Sequence, residues 1–150
     1  MSEEFRVEKR QEQVILFMAD GVIIEGMVFL AQYAMHHGGE QTVHDLLLED
    51  DPFLSMKTQN GEFCLVRKGM ISHLRSSVME VDGMQCNERE VRINFLGNES
   101  LQGRIKTYLP KHRARLSDYL NVGSEFFPLF SADYTYLVNR SLIRDIVLVD

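Results

Sequence analysis

The chain has 150 residues, of which 45% are hydrophobic and 25% are charged, a composition typical of one folded domain or two very small ones. The formal net charge of -6 argues against a protein that coats nucleic acid through bulk positive charge. Apolar runs are far shorter than the roughly 20 residues of a membrane-spanning helix, and the acidic start "MSEEF" does not resemble a signal peptide. We therefore expect a cytoplasmic protein that does not contact a membrane.

The first predicted element is a short helix over residues 2–12, because Ser2 can cap it and acidic residues fill its first turn. Residues 14–30 then predict a strand, a polar turn and a second strand, since apolar side chains recur with a period of two. The second strand is apolar on both faces, which predicts that its outer face is covered. Gly26 lies inside it, where we expect a bend or a close approach by another backbone.

Three segments of the first half recur in the second half, in the same order. Residues 14–30 match 91–107, residues 43–56 match 116–129, and residues 65–71 match 137–143. The difference in residue number between matched positions falls from 77 in the first pair of segments to 73 in the second and 72 in the third. This decrease is expected if the first copy carries extra loop residues. We therefore predict a mainly β protein made of two tandem small β-barrel repeats packed together, with one-turn helices in their loops. The boundary is placed near Gly83, between residues 1–83 and 84–150.

The two predicted repeats differ in charge. Residues 1–83 hold 7 basic and 14 acidic side chains, a balance of -7, whereas residues 84–150 hold 9 and 8, a balance of +1. The two repeats therefore have different surfaces.

Catalytic and metal-binding motifs are sparse in this sequence. Cys64 and Cys86 lack the C-x-x-C spacing of a zinc or redox site, so we expect reduced thiols. His36, His37 and His44 could form a metal site, but the first two lie in a glycine-bearing loop and the second repeat has no equivalent histidines. We therefore expect no catalytic, cofactor-binding or metal-binding residues and keep a metal-dependent enzyme as an alternative.

Three features of the second repeat follow the order seen in Sm-like small β-barrels, the class of the LSm and Hfq proteins. They are Gly103 in the bent second strand, "DYLN" at residues 118–121 and "VNRSLI" at residues 138–143. The chain thus resembles a tandem pair of Sm/SH3-like barrels, most clearly over residues 91–149 and more faintly over 14–74. This resemblance implies single-stranded RNA binding as an alternative function, although the connection before Asp118 is longer than in that family.

The chain also resembles an uncharacterised bacterial domain family with an "RLSDFLN"-type motif followed by "F-φ-P-L" and "LVN". Here the corresponding residues are 115–121, 127–129 and 137–139. The likeness implies a bacterial protein and brings no known activity with it.

The segment "RLSDYLN" has a structural and a functional interpretation. In the structural one, Leu116, Tyr119 and Leu120 share one face of a helical turn and plug the open end of the barrel, while Asp118 occupies the first turn. The segment "VHDLLLE" of the first repeat keeps this spacing. In the functional one, polar residues in and around the segment contact RNA or a protein partner; the candidates are Lys111, Arg113, Arg115, Asn121 and Arg140.

Taken as a sequence, the chain predicts a non-enzymatic interaction or assembly module. Its expected partner is another protein or a second copy of the chain, because each small repeat has strand edges that favour pairing.

Overall fold

The computed structural model describes residues 10–32, 39–76, 87–107 and 116–149. Over these residues the protein is mainly β, as predicted, with ten strands in one antiparallel sheet and two short helices. The predicted N-terminal helix is not confirmed, because residues 10–12 belong to the first strand and residues 2–9 lie outside the described residues. Pairing of residues 10–12 with residues 28–30 on the next strand fixes an extended backbone there, whatever their helix propensity.

The element order of the first half recurs in the second half. The first half contains β1 (Arg10–Met18), β2 (Ile23–Leu30), α1 (Val43–Leu47), β3 (Phe53–Thr58), β4 (Phe63–Arg67) and β5 (Ile71–Ser76). The second half contains β6 (Asn87–Phe95), β7 (Ser100–Thr107), α2 (Leu116–Val122), β8 (Phe126–Phe130), β9 (Thr135–Asn139) and β10 (Ile143–Leu148). A single 3-10 turn joins the last two strands of each half, Lys68–Met70 in the first and Arg140–Leu142 in the second.

The strand order is also the same in both halves. It is β5-β1-β2-β3-β4 in the first half and β10-β6-β7-β8-β9 in the second, and the two join through antiparallel pairing of β5 with β9. The strands β4 and β10 stand at opposite ends of the resulting ten-stranded sheet, so the sheet is not closed among the described residues. Two separate barrels are therefore not confirmed, because strand pairing continues from one half into the other.

The first hairpin of each half has the same register and the same turn. Val14 pairs with Gly26 in β1–β2, and Val91 pairs with Gly103 in β6–β7. In the turns, the backbone N–H of Met18 donates to Val22 and that of Phe95 donates to Glu99, both at 2.9 Å. Gly21, with a φ of 90°, and Asn98, with a φ of 67°, occupy equivalent left-handed positions, which glycine and asparagine tolerate best.

The mid-strand glycines allow a neighbouring strand to approach closely. A Cβ atom at Gly26 would lie 2.3 Å from the carbonyl oxygen of Lys57 on β3, and one at Gly103 would lie 2.8 Å from that of Phe130 on β8. The close backbone approach expected from the sequence therefore occurs at both positions, and each glycine lets its hairpin reach the next strand.

Two hydrophobic cores lie on opposite faces of the strands that they share. Phe126 and Leu137 pack into the first core, whereas the adjacent residues Phe127 and Val138 pack into the second. Successive side chains of a strand point to opposite faces, so β8 and β9 serve both cores at once. The first core also contains Val14, Leu16, Met18, Val28, Leu30, Val43, Leu47, Leu54, Met56, Val66, Ile71 and Leu74, and the second also contains Val91, Ile93, Phe95, Ile105, Leu116 and Leu129.

Each short helix is held at its C-terminal end by a cation from the 3-10 turn of the same half. The Lys68 ammonium donates to the carbonyl oxygens of Leu46 and Glu49, at 3.0 Å each, beside α1. The Arg140 guanidinium donates to the carbonyl oxygen of Leu120 in α2 at 2.8 Å. Helix C-termini expose unpaired carbonyl groups, so these cations satisfy acceptors that the short helices leave open. Neither helix is long and apolar enough to cross a membrane.

We expect Gly103→Ala to lower the free energy of unfolding by about 1–3 kcal/mol, because the added methyl group would press against the backbone of β8. The measurement is equilibrium unfolding in urea. Gly69→Ala is the matched control, since nothing lies within 4 Å of a Cβ at that position. Equal stability of the two variants would contradict the close approach.

Candidate interaction surfaces

The outer strand β4 differs sharply in exposure from its counterpart β9. Four of the five residues of β9 are buried, because β5 and β8 flank it, whereas only Val66 is buried in β4. Phe63 is 74% exposed and Leu65 is 68% exposed. A strand edge that presents large apolar side chains is a template for pairing with another chain.

The outer strand β10 differs in the same way from its counterpart β5. Five of the six residues of β5 are buried, but none of the six residues of β10 is buried. Val147 and Leu148 are exposed, and Ile146 is partly buried against the second core. Each end of the sheet therefore leaves apolar side chains in contact with solvent.

The surface near β4 continues across the outer face of β2 and β3. Phe29 stacks on Phe63 with ring centroids 6.0 Å apart, and Met27 and Phe53 are exposed beside them. The prediction that the outer face of β2 is covered is therefore not confirmed, since Ile23 is exposed as well. We call the exposed residues Met27, Phe53, Phe63 and Leu65 the β4 patch.

Sequence reasoning missed the β4 patch, although the sequence contains a signal for it. In "FCLVR", Phe63 and Leu65 alternate with Cys64 and Val66, so both faces of the strand are apolar. A strand that is apolar on both faces predicts two covered faces, and here one of them is exposed. The same signal holds for "IVLV" at residues 146–149.

The helix α2 carries the residues that the sequence predicted as a plug. Leu116 is buried in the second core, and Tyr119 and Leu120 pack against that core from the same helix. The Tyr119 ring meets Phe127 edge to face at 6.3 Å, and burial raises the pKa of its hydroxyl above the usual value. Asp118 is half-buried in the first turn. The apolar residues of this group thus hold α2 against the sheet.

Two of the five predicted contact residues, Asn121 and Arg140, lie within the described structure. Lys111, Arg113 and Arg115 lie outside the described residues. Asn121 is exposed near the end of α2. The Arg140 guanidinium points to the neighbouring carbonyl of Leu120, so one of its donors is used within the fold.

Of the three histidines considered for a metal site, His44 lies within the described residues. His36 and His37 lie outside the described residues, and the described part of the chain contains no group of three or more residues that could hold a metal ion. His44 lies 2.9 Å from the carbonyl oxygen of Phe126, which only accepts, so Nε2 carries the proton and donates. This bond ties α1 to the second half of the chain.

A cleft of about 300 Å³ opens where β1, α1 and β9 meet. Gln41 bridges its wall, accepting from the backbone of Ala31 at 2.8 Å and donating to the Glu49 carboxylate at 2.6 Å. Arg10 donates to the carbonyl oxygen of Gln41 at 2.6 Å, while its Nε and the hydroxyl of Thr135 are buried with no hydrogen bond to the described residues. The cleft lies at the junction between the halves, and the described residues that line it are both polar and apolar.

A buried histidine occupies the junction between the two halves. The His73 ring stacks on Phe17 at 4.5 Å on one side and on Phe95 at 5.0 Å on the other, and its Nδ1 lies 3.2 Å from the Ser72 hydroxyl. Phe17 belongs to the first half and Phe95 to the second. Desolvation by burial lowers the pKa of His73 to about 4, so the ring is neutral at neutral pH and packs as an aromatic side chain.

Comparison of the chain with protein-family models, curated proteins and solved structures found no match. The functional argument therefore depends on the geometry described above.

We expect the free energy of unfolding to fall by about 3 kcal/mol through His73 as the pH drops from about 6.5 to about 4. The unfolded chain binds this proton near pH 6.5, whereas the folded chain resists it until about pH 4, so acid favours the unfolded state. The measurement is urea unfolding of the protein and of His73→Phe across this range. Parallel pH curves for the two proteins would contradict the assignment.

Proposed function

We propose that this protein is a non-enzymatic interaction or assembly module of the bacterial cytoplasm, built from two duplicated Sm-like units. The observation that supports it is the pair of outer strands, β4 and β10, which present exposed apolar side chains at both ends of one sheet. Soluble proteins usually shorten, charge or cover such edges, because they favour association.

Four observations favour the duplication. The element order, the strand order and the hairpin register of residues 10–76 recur in residues 87–148. Lys68 and Arg140 are equivalent cations, and each donates a hydrogen bond to a carbonyl oxygen near the end of the helix in its own half. Such agreement in backbone and side-chain roles is expected from two copies of one ancestral unit that later changed at their surfaces.

The chemistry of the described residues gives an enzyme little support. Burial raises the pKa of the Cys64 thiol, and the negative charge of Glu62 raises it further. The thiol is therefore a poor nucleophile at neutral pH. His73 lies between aromatic rings rather than beside a carboxylate, and the His44 Nε2 bonds a backbone carbonyl. These groups hold the fold together and do not converge on a common point.

The assembly role predicts that the protein occurs in cells as part of a larger particle. We expect Leu65→Lys to release the protein from that particle, because a charged side chain on the β4 edge opposes strand addition. The measurement is the native size of the epitope-tagged protein in extracts of its own cells.

Val22→Lys is the matched control for this experiment. It replaces another exposed apolar residue with the same charge, in the β1–β2 turn and away from both sheet ends, so the native size should not change. A single chain in the extract, with or without the substitution, would contradict the proposed function.

Single-stranded RNA binding is a second candidate function. The observation that favours it is that Asn121 is exposed. This residue lies in the half of the chain, residues 84–150, whose 9 basic and 8 acidic side chains give a charge of +1. Asparagine can read a base edge, and the arginines that precede α2 in the sequence can contact phosphates.

RNA binding predicts salt-sensitive affinity of the purified protein for a short single-stranded RNA. Changing Arg113→Glu together with Arg115→Glu should weaken that binding at least about tenfold if both side chains contact phosphates. Arg92→Glu on β6 is the control for a general change of charge. Failure of the unaltered protein to bind RNA at low salt would remove this candidate.

A further inference from the structure

The cleft between β1, α1 and β9 lies where the first core ends. Val14 on β1 is opposite Ser76 on β5, and Ser76 is opposite Thr135 on β9, so the three residues form one row across the sheet. Val14 belongs to the first core, and alternate residues of a strand share a face. Glu12 and Arg10 therefore continue the core face of β1 beyond this row, and both line the cleft with Ser76 and Thr135.

The opposite charges on this face are particular to the first half. The hairpin register that matches Val14 to Val91 makes Asn87 the equivalent of Arg10 and Arg89 the equivalent of Glu12. The second half thus forms the same hairpin without an acid and a base at these two positions. The fold shared by the two halves does not require the charged pair.

Two polar groups of the cleft wall have no hydrogen bond to the described residues. Arg10 donates through a terminal nitrogen to the carbonyl oxygen of Gln41, but its Nε is buried without an acceptor. Thr135 is only 5% exposed, and its hydroxyl has no partner either. Buried polar groups of folded proteins nearly always have one. Because both atoms are covered, a ligand reaches them through side-chain rotations of the kind that often accompany binding.

The acidic side chains of the cleft favour a ligand that also carries a positive charge. The Glu12 carboxylate accepts from the Ser76 hydroxyl at 3.1 Å and has lone pairs for further donors. Glu40 lies 3.6 Å from Arg10, but its side chain is 66% exposed, and such ion pairs are weak. A ligand carboxylate can therefore compete for Arg10, while two acids against one base disfavour a simple anion.

The rest of the wall is apolar and the space is small. Val43 of α1 and Leu137 of β9 line the cleft, and both are almost fully buried. Its volume of about 300 Å³ is at the lower end of the range for ligand pockets. The cleft therefore fits a small metabolite with an apolar part rather than a nucleotide or a peptide.

From these features we infer that the cleft binds a free α-amino acid with an apolar side chain. The carboxylate of the ligand accepts from Arg10, its ammonium donates to Glu12 and Thr135, and its side chain packs against Val43 and Leu137. The inference goes beyond the proposed function, because it assigns a small-molecule site to the junction between the halves. Since the ligand contacts both halves, its binding stabilises their junction.

Calorimetric titration of the purified full chain tests the ligand class. The probes are L-valine, L-leucine and L-methionine, together with 3-methylbutylamine and 4-methylpentanoate, which are leucine without its carboxylate and without its ammonium. We expect saturable binding of at least one amino acid, with L-leucine at least about tenfold tighter than either analogue, since each lacks one charge-assisted hydrogen bond. Absence of binding by all three amino acids up to their solubility, or equal binding of L-leucine and an analogue, would overturn the inference.

Glu12→Gln tests the ammonium contact. Glutamine can still accept from the Ser76 hydroxyl but lacks the charge, so the preference for L-leucine over 4-methylpentanoate should fall about tenfold. Glu62→Gln is the matched control, because Glu62 is exposed and does not line the cleft. An unchanged preference in Glu12→Gln would contradict the assigned role, whereas a purely structural role would not alter the preference between two ligands.

Thr135→Val tests the buried hydroxyl. The variant should fold, because a methyl group replaces a hydroxyl without a partner, and it should bind L-leucine about three- to tenfold more weakly. Thr107→Val is the matched control, since the Thr107 hydroxyl is also buried without a partner among the described residues but does not line the cleft. Equal affinity of the two variants for L-leucine would overturn the placement of the ligand beside Thr135.

Discussion

Antiparallel pairing of β5 with β9 is the interaction on which the rest of the structure depends. It turns two five-stranded halves into one continuous sheet and buries nearly all of both strands. It also brings Phe126 and Leu137 of the second half into the first core, and it places His73 between Phe17 and Phe95. Because halves of this size have marginal cores when isolated, sharing strands and side chains across the junction gives each half more buried apolar surface.

The same pairing explains why apolar side chains are exposed at the two ends of the sheet. Within the chain, β5 and β9 cover one another, while the equivalent strands β10 and β4 have no such neighbour among the described residues. Both strands carry apolar side chains on both faces, which is the pattern of a covered strand. The basic residues of the 3-10 turns have a different role, since Lys68 and Arg140 bond the carbonyl groups of the short helices. The outer strands are therefore better candidates for a partner surface than these cations.

Much of the local structure could be predicted from the sequence. Alternating apolar residues located both first hairpins, and glycines inside strands marked the two close backbone approaches. The spacing of Leu116, Tyr119 and Leu120 located α2 and its buried face. The helix predicted at residues 2–12 was not confirmed over residues 10–12, because these residues pair with β2. Helix propensity is a local property and does not indicate such pairing. The candidate contact residues could not be assembled from the sequence, since their positions depend on connections that have no regular period.

The sequence by itself determined the mainly β class, the repeated segments and the residues that alternate between core and surface. These features follow from local rules: the period of a strand, the sterics of glycine and the spacing of one helical face. Only the tertiary structure decided that β5 and β9 join the two halves into one sheet, which is not closed among the described residues and has β4 and β10 at its ends. That choice depends on which strand edges meet, and strand edges are backbone groups that look alike in every sequence.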